Sequence, residues 1–262
     1  MNRIDKKFSD LKKLKQKAFI AFITSGYPSL GATEKLVLEL SRVGVDIIEL
    51  GVPFSDPLAD GPVIQDASFR ALKKNVCLAD ILRLVKKVRQ RTQVPICLMT
   101  YYNPIFCFGE ERFALAARAA GVDGVIIPDL PLEEGRSFLS RARRHGLHTI
   151  LFVSPTTSAR RAKKLVSAAG GFIYYVSLTG VTGTRKNLPP GLLHDLRRIK
   201  AVSKKPICVG FGVSTSAQAG QILRVADGVI VGSAIVRKIK EYRHDPQMAG
   251  KVAAFVSRMK HV

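Results

Sequence analysis

A chain of 262 residues with 47% hydrophobic and 24% charged content is built to bury a core, which excludes a disordered or fibrous protein, and no apolar run approaches the ~18 residues of a membrane span. Its four cysteines, Cys77, Cys97, Cys107 and Cys208, have neither C-x-x-C spacing nor a completing histidine pattern, which excludes a zinc module or disulfide framework and reads as buried, reduced thiols in a cytoplasmic protein. The net charge of +22 makes nucleic acid a partner to consider, and the placement of the basic residues decides against it.

In chain order, residues from about Ile4 to Leu14 read as a basic N-terminal helix. The apolar stretch Ala18 to Ile23 is too short for a signal-peptide core and runs into Thr24-Ser25-Gly26 without an A-x-A-like cleavage site. It reads instead as the first of eight strands, Ala18–Thr24. The others are Asp46–Val52, Pro95–Tyr101, Gly124–Pro128, His148–Ser154, Gly171–Ser177, Pro206–Gly212 and Asp227–Gly232. These runs are rich in Val, Ile and Phe and do not alternate with polar residues, the pattern of parallel strands covered on both faces. Helical periodicity fills the intervals. Leu36, Leu38, Leu40 and Val43 mark one helix, Ile81, Leu82, Val85 and Val88 another, and Phe138, Leu139 and Ala142 a third. Strands alternating with helices imply βαβ units, and eight of them predict one (β/α)8 barrel domain over 1–262 with an extra N-terminal helix. Gly44-Val45-Asp46, Gly121-Val122-Asp123 and Ala226-Asp227-Gly228 form a faint internal repeat, each a helix stop before an inner strand.

The basic pairs Lys12-Lys13, Lys86-Lys87, Arg143-Arg144, Arg160-Arg161, Lys163-Lys164 and Arg197-Arg198 fall on the predicted outer helices. They lack aromatic interleaving or a groove-reading motif, so they predict a solvated outer ring. Such a field also favours encounter with anionic substrates or an acidic partner.

Barrel chemistry sits at the C-terminal strand ends. Glu49 lies inside the apolar run Ile47-Ile48-Glu49-Leu50, where a carboxylate costs several kcal/mol unless paired or neutralised. It either faces outward under a helix, meets an arginine, or is an acid–base group with a raised pKa; the last reading is taken here. Asp60 and Asp56 are by themselves ordinary turn residues, Asp129 is expected to cap its own loop, and Tyr101 and Tyr102 read as half-buried packing residues. Two glycine-bearing turns follow strands 7 and 8, where barrels often bind phosphate: Gly210-Phe211-Gly212-Val213-Ser214, with Ser214 as the cap of the next helix, and Gly232-Ser233-Ala234. A third loop, from Leu178 to Pro190, carries Gly180 and Gly183 and is long enough to act as a lid. No lysine lies inside a strand, which argues against a Schiff-base aldolase. His145, His148, His194, His244 and His261 are scattered, which argues against a metal site. There is no Walker or dinucleotide motif. What remains is a cofactor-free, phosphate-binding barrel with two acids and walls drawn from Phe22, Tyr101, Tyr174 and Phe211.

The fourteen residues Ile48-Glu49-Leu50-Gly51-Val52-Pro53-Phe54-Ser55-Asp56-Pro57-Leu58-Ala59-Asp60-Gly61 resemble the signature of the tryptophan synthase alpha subunit family. The resemblance extends over nearly the whole chain, including Ala21 to Pro28, Tyr101 to Pro104, Pro128 to Pro131, Gly180 to Gly183, Gly210 to Gly212 and Gly232 to Val236. It implies cleavage of indole-3-glycerol phosphate to indole and glyceraldehyde 3-phosphate. It implies a beta subunit partner, in an alpha2beta2 complex, that holds pyridoxal phosphate and receives indole through a tunnel, with no cofactor in this chain. Glu49 matches the family's acid–base and Asp60 the residue at the indole nitrogen. Gly183, Gly212, Gly232 and Ser233 match its phosphate ligands, and Phe22, Tyr101, Tyr174, Thr182 and Phe211 match positions around the substrate. Thr182 is expected to bond Asp60 when the two loops close, and the partner to dock near Pro53, Asp56 and Pro131. Leu178 departs from the charged residue that many relatives carry there. Two alternatives stand. Indole-3-glycerol phosphate synthase needs strand-end lysines that this chain lacks, whereas a subunit that only activates a beta partner is opposed by the intact acids.

Overall fold

The computed structural model describes residues 1–176, 191–210 and 212–260. Eight parallel strands form a closed barrel in sequence order: β1 Ala18–Thr24, β2 Ile47–Gly51, β3 Ile96–Met99, β4 Gly124–Ile126, β5 His148–Val153, β6 Ile173–Val176, β7 Ile207–Gly210 and β8 Gly228–Val231. β1 pairs with both β2 and β8, so no edge is left open. Twelve helices are present among the described residues: α1 Arg3–Lys13, α2 Leu30–Arg42, α3 Pro62–Leu72, α4 Leu78–Val88, α5 Tyr102–Phe108, α6 Glu110–Ala120, α7 Arg136–Arg144, α8 Ala159–Ala168, α9 Leu192–Val202, α10 Ser216–Leu223, α11 Ser233–Glu241 and α12 Met248–Lys260.

Period-two geometry explains why the strands do not alternate in polarity. Ile20, Ile47, Cys97, Ile126, Ile150, Tyr174, Cys208 and Ile230 fill the barrel interior. Their neighbours Ile48, Leu50, Leu98, Val125, Val209 and Val229 pack outward with helix residues such as Leu36, Leu40 and Val85. Both faces are dry, so both are apolar. The ladders are shorter than most of the apolar runs. Tyr101, expected in strand 3, is instead the N-cap of α5, and strand 4 ends at Ile126 rather than Pro128. An apolar run marks burial, which continues past the last ladder hydrogen bond.

The N-terminal helix plugs the floor of the barrel. Ile4 is fully buried with the inner cluster, and Phe8 meets Phe172 at 5.8 Å. The faint repeat is a brace at the same end. Asp46, Asp123 and Asp227 accept the N–H of Phe19, Ile96 and Ile207 at 2.9, 2.9 and 3.0 Å. Each returns its own N–H to the carbonyl of that same residue. Each aspartate also meets two cations: Lys7 and Lys260 for Asp46, Arg3 and Arg89 for Asp123, Lys17 and Lys200 for Asp227.

The basic pairs named above lie on α1, α4, α7, α8 and α9, on the outside of the barrel. Two other expectations are corrected. All four cysteines are free, but only Cys97 and Cys208 are buried; Cys77 and Cys107 are exposed at the start of α4 and on α5. Asp129 does not cap its own loop: its carboxylate accepts the N–H of Tyr102 at 2.9 Å and so caps α5. No helix among the described residues is long and apolar enough to cross a membrane.

Candidate active site

Glu49 is in the middle of β2, in register with Phe22 on β1 and Cys97 on β3. It shares parity with the inward Ile47, so it points into the barrel rather than under a helix. It is 0% exposed, and among the described residues neither carboxyl oxygen has a hydrogen-bond partner. No arginine among the described residues answers it. Burial alone pushes its pKa up to about 8, so the proton stays on at neutral pH. Burial, with the nearby Glu49, pushes the thiol of Cys97 and the phenol of Tyr174 well above their ordinary values, and burial, with Asp227 and then Glu49, does the same to the thiol of Cys208. At neutral pH that interior layer, Glu49 included, therefore stays neutral.

Asp60 comes from the loop between β2 and α3 and is 7% exposed. Burial raises its pKa to about 6, with partial relief from Tyr101, whose hydroxyl donates to Asp60 Oδ2 at 3.3 Å. The Gln65 amide on α3 donates to the Asp60 carbonyl at 2.9 Å. Tyr101 also accepts the Ala59 N–H at 2.9 Å and stacks on Phe54 at 5.1 Å between ring centroids. The two carboxyls therefore sit in different protonation states between about pH 6 and 8.

Asp60 borders a small hollow of about 40 Å³ at the C-terminal end of the strands. Its apolar walls are Phe22, Ile64, Met99, Tyr174, Val213 and Ile230. Gly212, Gly232 and Ser233 line the rest. Glycines make room for two of the aromatics. A Cβ on Gly51 would meet the Phe22 ring at 2.6 Å, and one on Gly210 would meet the Tyr174 hydroxyl at 2.4 Å. Wider surface hollows of about 490 and 940 Å³ lie at the floor, around Lys15 and Lys17. They are far from either site acid, because the floor and the C-terminal strand ends are opposite faces of the barrel.

The two turns after β7 and β8 differ in what they offer an anion. α11 begins at Ser233 with Gly232 as its N-cap and no side-chain cap bond, leaving its first-turn amides available at the hollow. α10 is closed by its own residues. The expected cap, Ser214, is not the cap: Thr215 accepts the Gln218 N–H at 3.2 Å, and Gln218 accepts from Ser214 N and Thr215 N. The β7 side contributes Gly212 itself, at φ +78°, a conformation suited to glycine.

Of the residues selected from the sequence, Phe22, Asp60, Tyr174, Gly212, Gly232 and Ser233 meet around the hollow. Glu49 lies below it, sealed, and Tyr101 stands beside it with its hydroxyl committed to the Asp60 loop. Thr182, Gly183, Phe211 and the loop from Leu178 to Pro190 lie outside the described residues. Met99 and Ile230 were not selected, although their parity with Cys97 and Cys208 on the inward face would have pointed to them. Ile64, Gln65 and Val213 carry no local signal; helix placement alone brings them in.

The family model for the tryptophan synthase alpha chain matches residues 8–262. The tryptophan synthase alpha chain of Geotalea uraniireducens is 49% identical over 260 residues, covering 99% of this chain and 97% of that one. That of Geotalea daltonii is 50% identical over 260 residues, covering 99% and 98%. Among solved structures, tryptophan synthase subunit alpha from Legionella pneumophila superposes with a TM-score of 0.92 at 40% identity, covering 99% of this chain and 97% of that one.

Proposed function

The chain belongs to the tryptophan synthase alpha chain family, and from that premise we propose that Glu49 and Asp60 carry its reaction. That reaction is the lyase step of tryptophan biosynthesis, cleavage of indole-3-glycerol phosphate to indole and glyceraldehyde 3-phosphate. Direct cleavage would expel an indole carbanion, a poor leaving group. Glu49, protonated at neutral pH, gives its proton to indole C3 and forms an indolenine cation. Asp60, ionised, faces the positive charge that develops at the indole N–H. The Glu49 carboxylate then takes the proton of the side-chain hydroxyl. The O–H electrons form the aldehyde C=O as the C–C bond breaks, and the C–C electrons restore the indole ring. Glu49 ends protonated, as it began, so the cycle needs only acid–base chemistry and the chain works without a metal or cofactor of its own. The observation that carries this reading is the buried Glu49 carboxyl, without a hydrogen-bond partner among the described residues, beside a second acid whose pKa burial raises less far.

Phe22, Tyr101, Tyr174, Thr182 and Phe211 surround the substrate. The phosphate rests on backbone amides at Gly183, Gly212, Gly232 and Ser233, supported by the uncapped α11 N-terminus. The partner is a beta chain, which carries pyridoxal phosphate. We take the assembly as alpha2beta2 in the cytoplasm, with residues 1–262 acting as one barrel domain and with neither nucleic acid nor membrane as a partner. Exposed Leu58 and Phe106, 84% and 66% accessible on the β2–α3 loop and α5, support docking over the mouth near Pro53, Asp56 and Pro131. Thr182 closes onto Asp60 when the complex forms.

The test is indole release by Glu49→Gln and Asp60→Asn. Each loses ~10²-fold or more in kcat while a phosphate-bearing substrate analogue still binds. Near-normal turnover by either variant would remove that residue from the mechanism.

A further inference from the structure

We infer that Tyr101 is the positioning residue for Asp60: its hydroxyl, shared between the Ala59 amide and the Asp60 carboxylate, holds the β2–α3 loop in its working register. Asp60 stands on no strand or helix, so its placement depends on what grips the loop. The loop's own bonds, Leu58 N–H to Asp56 O and Asp60 N–H to Pro57 O, fix its internal shape but not its place over the barrel. The Gln65 amide holds the Asp60 carbonyl from α3, and Tyr101 holds the loop from the β3 side. Its ring stacks on Phe54 at the start of the loop, and its hydroxyl reaches Ala59 and Asp60 at the end. One side chain thus holds both limbs.

The grip is rigid because both neighbours of Tyr101 are anchored. The Thr100 N–H donates to the Ile126 carbonyl on β4 at 3.0 Å, and the Tyr102 N–H to the Asp129 carboxylate beyond it. The bond also acts on charge. It favours the ionised form of Asp60 against the burial that opposes it. The titratable groups facing Asp60 are Tyr101 from the end of β3 and Tyr174 from β6, and no cation acts on it among the described residues. Removing the Tyr101 hydroxyl therefore removes the main group that keeps Asp60 ionised.

This inference rests on ionised Asp60 taking part in cleavage. The experiment is Tyr101→Phe, which keeps the ring and its stack on Phe54. Thermal melting is expected to stay near wild type. kcat falls about tenfold, the scale of one hydrogen bond to a charged group, with a smaller change in KM. The acid limb of the pH profile moves to higher pH. NMR titration of the Asp60 carboxyl in the free chain moves the same way, a readout independent of turnover. An unchanged kcat with an unmoved acid limb and titration overturns the inference. Asp60→Asn, assayed alongside, separates the two failures. If it is inactive while Tyr101→Phe behaves as wild type, only the positioning role falls. If it is fully active, the role of Asp60 falls and this inference with it.

Discussion

Glu49 shows what one residue can hold when a fold surrounds it. Its carboxyl is raised to about 8 by burial, so the folded state prefers the neutral acid and the unfolded chain ionises near the ordinary value. The sign follows from linkage. As pH rises above the unfolded pKa, the unfolded state gains by ionising and the folded state does not, until the folded pKa is passed. Wild-type stability is therefore lost across that window relative to Glu49→Gln, by an amount on the order of 5 kcal/mol at its upper end. Denaturant unfolding at pH 5 and pH 8 measures this. The advantage of Glu49→Gln should be much larger at pH 8; parallel curves would show that Glu49 is not held neutral. Glycine makes the complementary point, because Gly51 and Gly210 are defined by the Phe22 and Tyr174 rings that occupy the space of a Cβ.

At the scale of elements, the floor of the barrel is stapled by three aspartates. Asp46, Asp123 and Asp227 join β1 to β2, β3 to β4 and β7 to β8 through a reciprocal pair of bonds at the strand entries. The three differ in burial, and burial ranks their importance. Asp123 is sealed and faces Arg89, whose side chain is 9% exposed, whereas Lys17 and Lys200 beside Asp227 are 38% and 40% exposed. Asp123→Ala leaves a buried guanidinium uncompensated and should cost roughly 3–5 kcal/mol. Asp227→Ala removes two solvent-screened ion pairs and one bond to a backbone N–H, and should cost about 1–2 kcal/mol. Chemical denaturation of the two variants tests the order, and equal losses would contradict it. Function sits at the opposite ends of the same strands, where Asp60 is held by side chains rather than by a ladder.

For the whole molecule, the basic pairs on α1, α4, α7, α8 and α9 lie outside the barrel, and among the described residues the site is left to two acids and a helix terminus. The partner reading concerns the mouth. A beta chain that binds the closed arrangement of the β2–α3 loop more tightly than the open one will accelerate indole release. Titrating beta chain into the enzyme measures this, and a flat rate while the two demonstrably bind would refute the coupling. Phe106→Asp on α5 places a charge on the exposed apolar surface and should raise the beta concentration needed for half-maximal acceleration, with turnover of the isolated chain unchanged.

The sequence alone marked the βαβ architecture, because eight apolar runs separated by helical periods read as parallel strands covered on both faces, and their number favours the closed barrel that the structure shows. It also marked Glu49, since a carboxyl amid Ile47, Ile48 and Leu50 is conspicuous in any fold, and the stretch from Ile48 to Gly61 identified the family. It did not mark the ends of strands 3 and 4, because apolar residues continue past the ladder into α5 and the loop after β4. It misplaced the cap of α10, because Ser214 and Thr215 are equally good caps locally and only the helix register selects Thr215. The acidity of Asp60, the grip of Tyr101 and Gln65 on its loop, and the walls from Ile64 and Val213 were decided by tertiary structure. Each depends on the distance between residues far apart in the chain, and local periodicity carries no information about that distance.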